Sequence, residues 1–263
     1  MVQVQAAGVP HPLWKAVPEG VQFKGGIGSW RPHTGFSIAG VVREVGAQVD
    51  TRRVGERVFG WVEIGSHAAI EEYVVANPDL LHPLPKHLPP RTAADLVVVG
   101  TAAMRAVHDI PEGLFGKTVL IQYAQGLLSY YLAQLARDAG GFVTVSLTNR
   151  EDFAAANKYA HVVADLALSQ LPEEHRAFDV VFDPHGDLDW QRARDVVREG
   201  GLYLAFAPHS TDREISGRRT RGFGRLWGVV DANVTFEDLR RLVTYVGDSR
   251  LDVVGVPYGE GDN

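Results

Sequence analysis

From Thr118 onward the sequence alternates short apolar runs with stretches of helical spacing, and this alternation leaves very few folds open. Residues 118–122 form an apolar run of strand length. Residues 127–138 have helical periodicity and are closed by Gly140-Gly141, as a helix stop would be. Strands are then expected at 142–147, 161–164, 178–182, 202–207 and 229–235, with helices at 152–159 and 190–198. Strands alternating with helices imply a parallel sheet covered on both faces. Right-handed crossovers make that sheet doubly wound, a Rossmann-like α/β fold.

The first ninety residues have a different texture. Val2, Val4 and Ala6 alternate with polar residues, as in a half-buried strand. Apolar segments at 36–45, 57–61 and 72–75 are broken by glycines and prolines, which suits a small barrel-like β unit. Helical spacing begins at 91–107. With 263 residues and a net charge of −6, the chain can bury a sizeable core, and nothing favours a nucleic-acid or membrane partner. Cysteine is absent, so disulfides and thiolate zinc sites are excluded. Apolar runs are too short to span a bilayer, and the N-terminus has no signal pattern, so the expected location is cytoplasmic.

Several segments, read in order, resemble the zinc-independent quinone oxidoreductase and enoyl reductase branch of the medium-chain dehydrogenase/reductase superfamily. They are Ala6-Ala7-Gly8-Val9, Ala39-Gly40-Val41-Val42-Arg43-Glu44-Val45-Gly46 and Val54-Gly55-Glu56-Arg57-Val58-Phe59-Gly60. Glu72-Tyr73-Val74-Val75, Gln134-Leu135-Ala136 and Phe178-Asp179-Val180-Val181-Phe182-Asp183 complete the set. The resemblance implies a GroES-like β domain at 1–98, a Rossmann domain at 99–248 and a return segment at 249–263, with ligands in the cleft between the domains. Relative to the family the chain looks truncated at both ends, so the first domain is expected to be smaller or completed by a partner. Natural trimming is the expectation and an expression fragment the alternative. The family also implies a possible homodimer.

The first strand-to-helix turn departs from the family pattern. The family has a run of alanine and glycine ending Gly-Gly-Val-Gly, where the backbone turns tightly and lets a pyrophosphate approach the helix N-terminus. Here the residues are Tyr123-Ala124-Gln125-Gly126-Leu127-Leu128-Ser129, and only Gly126 matches. A Cβ where backbone approach is needed displaces the phosphates or strains the turn. The expectation is therefore that no cofactor is bound. The alternative is NADPH held by Gly126, Ser129 and Arg150, the last standing where relatives hold a 2′-phosphate.

Without a cofactor, chemistry must come from groups at the carboxyl ends of the strands. The family's strand order brings the first, fourth and fifth strands together, so Tyr123 and Gln125, Asp183 and His185, and His209 are placed to converge within about 10 Å. A histidine can donate or accept a proton near neutrality, so His185 and His209 suit proton transfer. Asp183 either orients a histidine or holds a turn, and Tyr123 suits hydrogen bonding to a carbonyl. His11, Trp14, Lys15 and Gln125 are the expected substrate-binding residues. No histidine spacing supports a metal and no nucleophile elbow occurs. The favoured function is a cofactor-independent biosynthetic enzyme that cyclises, isomerises or adds to a small apolar, polyketide-like substrate. An NADPH-dependent quinone or enoyl oxidoreductase and a non-catalytic binding protein are the alternatives.

Overall fold

Alternating burial along β1 (Val2–Gly8) sets the frame of an antiparallel sheet. In this computed structural model the described residues are 1–8, 36–62, 71–122, 124, 126–148, 156–165, 167, 171–186, 188, 190–206, 220–222, 225–229 and 236–254. With β2 (Phe36–Val42), β3 (Arg57–Val62), β4 (Tyr73–Val74) and β5 (Leu81–Pro83), the order is β4-β1-β2-β3-β5, antiparallel throughout. Val2, Ile38, Val42, Val58, Val62 and Val74 pack into one apolar cluster of this sheet. Ser37 instead donates its hydroxyl to the carbonyl of Ala94, at 2.7 Å, on α1 (Pro90–His108). At Gly8 a Cβ would lie 2.8 Å from that same carbonyl oxygen, so only glycine lets strand and helix approach this closely.

Two compact units divide the chain, Met1–Thr101 with Ala232–Asn263, and Ala102–Asp231. Residues 232–248 were expected with the Rossmann domain; they group with the first unit, with 249–263. Their helix, α4 (Phe236–Gly247), lies against α1, where a Cβ on Gly100 would stand 3.0 Å from a Leu242 methyl group.

The second unit is the doubly wound sheet. Its strands are β6 (Thr118–Ile121), β7 (Phe142–Leu147), β8 (Val162–Asp165), β9 (Phe178–Asp183), β10 (Val197–Ala205), β11 (Thr220–Gly222) and β12 (Arg225–Val229). The order is β11-β12-β10-β9-β6-β7-β8, parallel except for the β11–β12 pair. Leu120, Phe178, Val181 and Tyr203 form part of one core cluster. Helix α2 (Gly126–Asp138) buries Tyr131, Leu132, Leu135 and Ala136, a 3.6-residue stripe. It ends with Gly140 in the left-handed region (φ +81°), and the amides of Gly140 and Gly141 bond back to Arg137 and Ala136, a Schellman stop.

Two expected elements shift. The helix expected at 190–198 ends early as α3 (Trp190–Val196), and β10 begins at once, with a register break between Val197 and Leu202. Gly200, at φ +79°, lies within that break. The sixth strand, expected at 229–235, is β12, because Leu226 and Trp227 pair with Leu202 and Tyr203. Residues 230–235 lie outside the described residues. No helix among the described residues is long and apolar enough to cross a membrane.

One polar knot ties the starts of three adjacent strands. Asp179 of β9 accepts from the backbone amide (2.7 Å) and hydroxyl (2.9 Å) of Thr118 on β6, and pairs with Arg198 of β10 at 3.0 Å. Thr118 in turn accepts from the Asp179 amide and from Arg198. The Arg198 pair is half exposed and contributes little, whereas the two bonds from Thr118 to a carboxylate are the stronger part. Asp179→Ala is expected to lower unfolding stability by about 2 kcal/mol and Asp179→Asn by less, since an amide oxygen still accepts from Thr118. Urea denaturation of the two variants checks this, and equal losses would assign the stability to the ion pair instead.

Candidate functional site

The strand order determines which loops meet at the carboxyl edge of the parallel sheet. β6 is flanked by β7 and β9, with Ile121 opposite Val145 and Phe182, and β10 follows β9 with Ala205 opposite Asp183. The exit turns of β6 and β9 therefore start side by side. The amide of Gln122, the first residue beyond β6, donates to the carbonyl of Phe182 at 2.8 Å. Ala124 donates its amide to the carbonyl of Ser146, at the end of β7, at 2.7 Å.

Asp183 is fully buried at the end of β9. A carboxylate there must have its charge met by donors. Oδ1 accepts from the backbone amides of His185 (3.3 Å) and Gly186 (2.8 Å). Oδ2 accepts from the amide of Leu188 (2.9 Å) and the hydroxyl of Tyr203 (2.6 Å), itself fully buried on β10. In these bonds Asp183 shapes the loop that follows β9, by gripping its backbone. The side chain of His185 stands exposed on that loop.

Residues 122–125 connect β6 to α2. Gly126 opens the helix at φ +77°, is exposed, and has no atom of the described residues within 4 Å of where a Cβ would stand. Among the described residues from Thr118 to Asp138 it is the one with left-handed backbone. Ser129 is 3% exposed, so its side chain is turned into the protein. Leu127 and Leu128 are half-buried. The first turn of a 13-residue helix offers what a phosphate group needs, N-terminal amides and the positive end of the helix dipole. The residues present thus fit a dinucleotide.

Of the residues singled out from sequence, Asp183, His185, Gly126 and Ser129 are described, and all stand at or beside this edge. Tyr123, Gln125, Arg150, His209, His11, Trp14 and Lys15 lie outside the described residues. Gln122, Ser146 and Tyr203 escaped the sequence reading. Each sits within or just past an apolar strand, where burial on both faces hides a polar side chain among hydrophobic neighbours. The one available signal was the polar residue closing each of two adjacent strands, Gln122 and Asp183. Among the described residues no group of three or more histidines and acids could hold a metal ion.

No family model matches the chain. A 2-haloacrylate reductase of Burkholderia is 28% identical over 208 residues, covering 76% of this chain and 59% of that enzyme. A chloroplastic NADPH-dependent alkenal/one oxidoreductase of Arabidopsis thaliana is 30% identical over 193 residues, covering 65% of this chain and 46% of that enzyme. Among solved structures, a quinone oxidoreductase of Pseudomonas syringae superposes with a TM-score of 0.72 at 19% identity, over 97% of this chain and 81% of that one. The chain spans about two- to three-fifths of the length of the curated relatives it matches.

These relatives overturn two expectations. The chain was expected to bind no cofactor and to catalyse a redox-silent cyclisation, isomerisation or addition; its relatives are reductases, and one is named as NADPH-dependent. At one lost glycine the expected bulk is turned away, since Ser129 is buried, and Gly126 keeps the left-handed backbone of the turn. The homologues and structural neighbours of this chain are quinone oxidoreductases, 2-haloacrylate reductases and enoyl reductases, of the medium-chain dehydrogenase/reductase superfamily.

Proposed function

We propose that this chain is an NADPH-dependent reductase of conjugated acceptors, meaning enones, 2-haloacrylates or quinones. The observation that carries the reading is the exposed, left-handed Gly126 at the start of α2, with no atom of the described residues against the place of a Cβ. The names of the relatives support the same chemistry. When bound, NADPH supplies a hydride, and the protein's task is to place and protect the reacting groups.

The amides at the start of α2 would hold the pyrophosphate. Arg150, which follows β7 in the sequence, would hold the 2′-phosphate. Asp183 and Tyr203 hold the loop after β9 in one shape beside that turn. Reduction of a conjugated acceptor also needs a proton. Among the described residues of this loop His185 has an exposed titratable side chain, and we assign its imidazole to deliver that proton.

Titrating the protein with NADPH while following the cofactor's fluorescence is expected to give saturable binding at micromolar levels. Oxidation of NADPH should then accelerate on adding an enone or a quinone. Absence of both would remove the reading. His185→Ala is expected to lower kcat toward an enone by about 10²-fold, the usual scale for a general acid, while NADPH affinity stays within about twofold. An unchanged kcat would take the proton-delivery role from His185.

A further inference from the structure

We infer that Gln122 is a dinucleotide-binding residue of this chain, steadied by Ser146, and that its side-chain amide offers a donor to a phosphate or ribose oxygen. The inference rests on the proposed reductase function and extends it to a residue that the glycine pattern does not reveal. Gln122 stands at the mouth of the β6–α2 turn, only 7% exposed. Its Oε1 accepts from the hydroxyl of Ser146 at 3.0 Å, and Ser146 is fully buried. That bond fixes which way the carboxamide faces, because oxygen and nitrogen diverge on either side of the Cγ–Cδ axis within its plane.

The other end of the carboxamide is available. Nε2 makes no hydrogen bond among the described residues. It is an unpartnered donor there, on an otherwise enclosed side chain at the entrance to a helix N-terminus. The backbone beneath it is pinned as well. The Gln122 amide is held by Phe182, and Ala124 by the carbonyl of Ser146. Family members shape this turn with successive glycines. In this chain Ser146 braces it from β7, through its hydroxyl and its carbonyl, and the braced glutamine adds a donor that a glycine lacks.

The two roles separate by substitution. Gln122→Glu keeps an oxygen for Ser146 and keeps the shape, but turns a carboxylate toward the phosphates in place of a donor. NADPH affinity, read by fluorescence titration or calorimetry, is expected to fall at least 10-fold in Gln122→Glu, with the melting temperature within a few degrees of wild type. Ser146→Ala, which leaves the donor but frees its orientation, is expected to fall less. If Gln122→Glu does not fold, Gln122→Met, which has neither donor nor charge, is expected to lose several-fold. Wild-type affinity in the folded Glu variant, or in the Met variant if that one decides, would overturn the inference while leaving the reductase reading in place. Failure of the wild-type protein to bind NADPH would overturn both.

Discussion

The backbone pairing of β6 between β7 and β9 is the constraint on which the carboxyl edge depends. It places Ile121 opposite both Val145 and Phe182, so the first residue after β6 must start between two neighbouring strand ends. From there the chain has only a few residues in which to reverse and begin α2. Gly126 absorbs the turn with left-handed backbone, and bonds from Gln122 and Ala124 to the flanking strands hold what lies before it. The loop after β9 is set by the same pairing, because Asp183 ends its strand fully buried and draws three backbone amides and the Tyr203 hydroxyl around its carboxylate. Two turns next to each other are thus stiffened by different means, one by glycine and backbone pairing, the other by a buried charge.

The fold was legible in the sequence because its signals are long. Five of the parallel strands lie where apolar runs of the right length occur, and the glycine pair after α2 makes the stop its position implied. The failures are local. Helical spacing continued past Val196 in the sequence, but pairing with β9 takes over at Val197. The last strand was expected at 229–235, whereas the described strand pairs Trp227 with Tyr203 and ends at Val229. Helix α4 was not foreseen at all. Its placement depends on Gly100 admitting Leu242, a contact between residues far apart in the chain.

The site was less legible, and the missing cofactor shows why. A degenerate motif gives residue types but not directions. Counting lost glycines treats each position as equally exposed to the ligand, whereas Ser129 is buried and Gly126 alone among the described turn residues needs φ above zero. The reading of Asp183 was open between orienting a histidine and holding a turn; in the structure its bonds go to backbone amides and to Tyr203. Of these partners only Tyr203 is distant in sequence and leaves no spacing to read; the amides belong to the turn itself.

The central claim is that the turn before α2 still receives a dinucleotide although most of its glycines are gone. A crystal structure of the protein grown with NADPH tests this most directly. The account predicts the pyrophosphate within hydrogen-bond distance of the amides that open α2, with Gly126 still left-handed. Ordered NADPH bound elsewhere, or a turn that had to unwind to admit it, would contradict the account.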